Sequence, residues 1–211
     1  MNVEIGNIVK GLLEPFLVGG SGTNQFIDKL AGVVKVITMQ DKNESDSTII
    51  KSFPISSNTS LEECKKPGAY KDLIPNSKYG CMVYLEEESG VEKINEFNKV
   101  KQYRTSFLLV GWINQQKLGC YDTSITGSIV NTIIGALSVK PFNSGIYQTI
   151  QIEVTGQNPK SLNPFSKYTY DEENTKYLMA PYDYFSLKVD VIVNVNLSCI
   201  EPFQKRTEII C

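Results

Sequence analysis

Residues 184–199 read YFSLKVDVIVNVNLSC and alternate with a period of two. Phe185, Leu187, Val189, Val191, Val193, Val195, Leu197 and Cys199 fall on one side. Ser186, Lys188, Asp190, Asn194, Asn196 and Ser198 fall on the other, with Ile192 the one apolar intruder. Successive side chains of a strand point to opposite faces, so the pattern predicts a β-strand with a buried and a wet side. At about 3.3 Å per residue such a strand runs roughly 50 Å, against about 17–20 Å for an ordinary one. Few lone domains need it. The length predicts a strand that bends across two layers or one that reaches into a neighbouring subunit. Either way, it points towards assembly.

The rest of the chain alternates helical and extended patterns. Val3–Leu13 reads as a first helix, with Ile5, Ile8, Val9, Leu12 and Phe16 at helical spacing and Pro15 limiting its extension. Gly19-Gly20-Ser21-Gly22 is a joint or turn. No Gly-Lys-Ser/Thr follows it, so it is not a phosphate loop. Asn24–Leu30 is expected to form a short helical turn. Val33–Gln40 and Thr48–Ile55 form a hairpin pattern around a polar turn. That turn holds Asp41, Glu44 and Asp46 but lacks the glycine and terminal Glu of a calcium loop. Ser57–Lys78, rich in Pro, Gly and Asn, reads as a surface excursion.

Tyr79–Glu87 predicts a strand with Cys81, Val83 and Leu85 on one face and an acid run, Glu86-Glu87-Glu88, at a solvated end. Val100–Asn114 predicts another. Its centre, Phe107–Val110, is apolar on both faces, which places it mid-sheet with cover on both sides. Gly111 within it marks a bulge or the close approach of a neighbour. Ile146–Thr155 is a further strand, with Ile150, Ile152 and Val154 inward. Gly156–Pro181 is a loop holding Tyr168, Tyr170 and Tyr177, longer than the ~12–15 residues beyond which loops are usually functional or disordered. The expected fold is α+β: a mixed, largely antiparallel β-sheet with two helices packed on one face and long inserted loops. One domain spans 1–211, with insertions at about 57–78 and 156–181 and a tail at 201–211.

The second helix, capped by Asp122 or Thr123 and running to about Leu137, has two unlike faces. Ile125, Ile129, Ile133 and Leu137 form its core stripe, with Val130 and Ile134 beside them. Gly127, Ser128, Asn131, Thr132 and Gly135 occupy the other side, and no charge occurs from Thr123 to Val139. A surface helix ordinarily carries charge on its outer face, and glycine costs about 1 kcal/mol against alanine within a helix. Close packing on the second face would offset that cost. Another layer of this chain or another subunit is the expected cover.

Composition removes whole classes of chemistry. The chain has no histidine, which excludes Ser-His-Asp and Cys-His mechanisms and histidine metal sites. Cys64, Cys81, Cys120, Cys199 and Cys211 form no CxxC pair, and no secretory signal precedes the first helix. Free, mostly buried thiols in a reducing compartment are expected. The Asn-x-Ser/Thr triplets at Asn43, Asn58 and Asn196 are then chance matches. A net charge of -2 without a long basic run disfavours sequence-specific nucleic-acid binding. Lys99, Lys101 and Arg104 read as the entry and outer face of a strand. No apolar run reaches the ~20 residues of a membrane span. The sequence assigns no catalytic residue, no cofactor-binding residue and no metal ligand.

The order of helix, hairpin, long loop, strands, apolar helix, strand, long loop and terminal strand resembles that of tailed-bacteriophage neck and tail-completion proteins, tail terminators above all. The matching stretches are Val3–Leu13, Val33–Ile55, Val100–Asn114, Thr123–Leu137, Ile146–Thr155 and Tyr184–Cys199. The resemblance implies a non-enzymatic virion protein, assembled in the host cytoplasm into a hexameric or dodecameric ring at the neck/tail junction. It implies other neck and tail proteins as partners and DNA passing through a mildly acidic lumen. The candidate subunit contacts are Gly127, Asn131 and Gly135 on the helix, Tyr168, Tyr170 and Tyr177 in the loop, and Ile209 and Ile210 in the tail.

Two other classes compete with this reading. A monomeric ligand-binding module would use the tyrosine loop and Trp112 as an aromatic platform for a glycan or peptide, and predicts a concave pocket lined by them. An enzyme without histidine would work through carboxylates such as Glu86, Glu88, Glu153 or Asp190. It predicts two carboxyl groups about 5 Å apart in a pocket.

Overall fold

A computed structural model describes residues 1–22, 24–42, 48–57, 72–119, 124–169 and 175–196. Several sequence expectations fall outside these residues: the polar turn at Glu44 and Asp46, the cap at Asp122 or Thr123, Asn43, Asn58, and the tail. Tyr170, Ile209, Ile210 and the cysteines at 64, 120, 199 and 211 lie outside them too.

The chain opens with helix α1 (Asn2–Leu13), which passes into a 3-10 turn at Glu14–Phe16, where Pro15 lacks the N–H of a continuing helix. Among the described residues eight strands follow, interrupted by one α-helix: β1 (Lys29–Lys42), β2 (Thr48–Ser56), β3 (Cys81–Glu87), β4 (Glu92–Phe97), β5 (Val100–Asn114), helix α2 (Ser124–Leu137), β6 (Phe142–Ser144), β7 (Tyr147–Gln157) and β8 (Tyr182–Asn196). They form one open sheet in the order β2-β1-β3-β5-β8-β7-β6, with β4 also paired to β5. Only the β1–β3 pairing is parallel. The expected α+β class and the expected hairpin of β1 and β2 are both present.

Both helices pack on the same face. Ile5, Val9 and Leu13 of α1 and Ile129, Val130, Ile133 and Leu137 of α2 share a core with Val83, Leu85, Phe107, Leu109, Leu187, Val189, Val191 and Val193. The sheet's other face is covered at one end by loops. Leu73, Phe165 and Tyr168 seal Met82, Tyr84, Val110 and Trp112 there. Cover on both sides explains why β3 and the latter half of β5 are apolar on alternate and intervening positions alike.

The long terminal strand has its explanation inside the chain. β5 and β8 are each 15 residues long and pair along their whole length, from Val100↔Asn196 to Asn114↔Tyr182. Through Asn196 the strand lies in one sheet of its own subunit, which corrects the expectation of a two-layer bend or a crossing. β7 flanks β8 on its other side, while β3 and β4 take successive halves of β5. Interior position satisfies the backbone groups of both strands within the chain.

Two local expectations are overturned. Asn24–Leu30 is not a helical turn. Ile27, fully buried, bridges in parallel to Leu17, and β1 begins at Lys29. Its N–H donates to the Phe16 carbonyl at 2.9 Å, and Gln25 closes the glycine turn before it by accepting from Gly19 N–H at 3.1 Å. Burial of one isoleucine outweighs the local helical preference. Glu86 is not at a solvated end but is 5% exposed. Strands β4 and β6 were not legible, since every residue of β4 is exposed and no apolar alternation marks it.

Gly111 permits close approach, not a bulge, for β5 keeps register with β8 at Gly111↔Phe185. A Cβ at this position would sit 2.1 Å from Phe185 Cζ. Gly111→Ala should therefore cost about 1–3 kcal/mol through overpacking. Urea denaturation measures it, and an unchanged midpoint would mean that the ring moves aside freely.

Candidate assembly surface

Helix α2 is fixed to the sheet at its first turn. Thr126 Oγ1 donates to Asp183 Oδ2 at 2.8 Å in a buried contact. The same carboxylate, 8% exposed, accepts from Lys160 Nζ at 2.7 and 2.8 Å and from the backbone N–H of the adjacent Tyr184 at 2.9 Å. Asp183 thus joins the helix, the start of β8 and the loop beyond β7. Nothing in the sequence pattern singled it out. Its one signal is an acid at an inward position of an apolar strand.

Thr126, Ile129, Val130, Ile133 and Leu137 are buried, and Ile125 and Ile134 are half-buried, as the core stripe requires. Gly127, Ser128, Asn131 and Gly135 are exposed. A Cβ added at Gly127 or Gly135 would meet nothing within 4 Å. Among the described residues, then, no second layer of this chain covers this face. The hydroxyl of Thr132 bonds back to the Ser128 carbonyl at 2.9 Å, so it adds no outward donor.

The tyrosines lie elsewhere. Tyr168 is 6% exposed, and its hydroxyl donates to Glu86, which also receives Lys167 Nζ. Tyr177 is half-buried and packs edge-on to Trp112 and Tyr182, with centroids 6.4 and 5.1 Å away. Its carbonyl accepts the indole N–H at 2.6 Å. These side chains belong to the loop-covered face, whereas Gly127, Asn131 and Gly135 stand on the helix-covered one. The structure does not bring the two groups together, and Tyr168 is committed within its own subunit.

The other chemistry considered from sequence fares as follows. Trp112 is fully buried, stacked on Tyr182 at 5.5 Å and 17°, so its ring is no open platform. A small cleft, of about 10 Å³, is lined by Gln157, Asn158, Pro159, Lys160, Leu162, Tyr184, Phe185 and Ser186, which includes neither Trp112 nor Tyr168. None of Glu86, Glu88, Glu153 or Asp190 lines it. Glu88 pairs with Lys188 at 3.8 Å, Asp190 accepts from Ser106 at 2.6 Å, and Glu153 stands opposite Asp190 in the sheet. Among the described residues no group of three or more Cys, Asp and Glu could hold a metal ion, and no helix is long and apolar enough to cross a membrane.

Among the described residues four titrating groups are shifted, each for a structural reason; the exposed Glu96 carboxyl is lowered by its hydrogen bond to Lys93. Burial, then the charge of Asp28, pushes the Cys81 thiol up, so it is a packing residue and not a nucleophile. Burial and a hydrogen bond to Glu4 raise the Tyr147 phenol, tying β7 to α1. Burial, then Asp72 by its charge and a 3.1 Å hydrogen bond, pushes Tyr79 up to about 12. A raised phenol favours the folded state while it stays protonated. Its contribution is complete below the unfolded value of about 10 and is lost as pH rises through about 12. Wild type should lose stability between pH 9 and pH 11 in urea titrations, and Tyr79→Phe should lose less. Equal losses would show that the phenol titrates alike in both states.

No protein-family model matches this chain, and no curated protein matches it in sequence.

Proposed function

We propose that this chain is a structural assembly subunit that forms a hexameric or dodecameric ring at the neck/tail junction of a tailed phage. It acts through contacts with its own copies and with other neck and tail proteins, and DNA passes through the lumen. The observation that carries the reading is the outer face of α2, uncharged and without cover among the described residues. An exposed helix face this poor in charge, with two glycines that each weaken the helix, is better explained by a neighbour than by water. The sheet with both helices on one face also agrees with the resemblance of element order. The platform needed by the ligand-binding alternative is occupied by the chain's own tyrosines.

Mass by light scattering with negative-stain imaging, at low and high protein concentration, tests the proposal. Wild type should form rings. Gly127→Glu and Gly135→Arg should remain monomeric with unchanged far-UV circular dichroism. Both substitutions point into open space and raise helix propensity, so they should not unfold the subunit. Variants that assemble like wild type would remove the helix face from the contact. A wild type that stays monomeric throughout, alone and with the other neck and tail proteins, would defeat the assembly reading.

A further inference from the structure

We draw no further inference here: the strongest candidate, the uncharged outer face of α2 at Gly127, Ser128, Asn131 and Gly135, belongs to the assembly reading already proposed, and nothing in the structure shows what covers it.

Discussion

Trp112→Ala should destabilise the subunit by about 3–5 kcal/mol and lower Tm by roughly 6–20 °C. The indole is fully buried on β5, on the face opposite α1 and α2. It stacks on Tyr182, meets Tyr177 edge-on and donates its N–H to the Tyr177 carbonyl at 2.6 Å. Truncation empties the space beneath two tyrosines and leaves that carbonyl without its donor. The short 3-10 turn at Lys176–Leu178 would lose its anchor to the sheet. Trp112→Phe helps to separate the effects, since it keeps most of the apolar area while losing the hydrogen bond and a smaller part of the ring volume. It should cost about 1–2 kcal/mol more than a pure size change. Trp112 is the one tryptophan, so circular dichroism is the readout for both variants. A loss under about 1 kcal/mol for the alanine variant would mean that the loop-covered face is not part of the cooperative core.

Glu86→Ala should cost about 2–3 kcal/mol and loosen the loop beyond β7 before the whole subunit unfolds. The carboxylate is 5% exposed and receives both Lys167 Nζ and the Tyr168 hydroxyl. Removing it takes away the buried carboxylate to which the Tyr168 hydroxyl donates. Lys167, whose side chain is 46% exposed, can turn to solvent, which keeps the loss below that of a fully enclosed ion pair. Glu86→Gln retains an acceptor and should cost less. Trypsin should cut the alanine variant faster at Lys160 and Lys167, with Tm and cleavage rate changing together. A stable variant with unaltered cleavage would show that the buried Phe165 and the Lys160–Asp183 pair hold the loop without this carboxylate.

Strand and helix identity were legible wherever one side of an element is buried and the other wet. The alternation in β8 holds from Val189 through Asn196, with each odd position buried. The α2 stripe at Ile129, Ile133 and Leu137 lies in the core as its spacing requires. Apolar residues on both sides of Phe107–Val110 reported a covered, central strand, and β5 has neighbours on both edges. Periodicity works there because solvent acts on one residue at a time, and the chain geometry turns that into a pattern.

Long-range pairings were not legible. Glu86 follows an apolar strand and precedes two more acids, so locally it reads as a wet end. Only its meeting with Lys167 and Tyr168, about eighty positions away, makes burial affordable. Asp183 is the same case, bringing Thr126 and Lys160 to one carboxylate. The tyrosine loop read as a contact surface because tyrosines suit interfaces and interiors equally, and composition does not separate the two.

By itself the sequence determined the α+β class, the in-and-out pattern of the main strands, and the absence of histidine chemistry. The tertiary structure decided that the long strand is matched by β5 within its own chain and that one end of the second sheet face is sealed by loops. It also decided which carboxylates are buried. Local patterns record each residue's average exposure to water. The partner that a strand edge or a buried charge finds depends on segments far apart in sequence, and no local pattern encodes that.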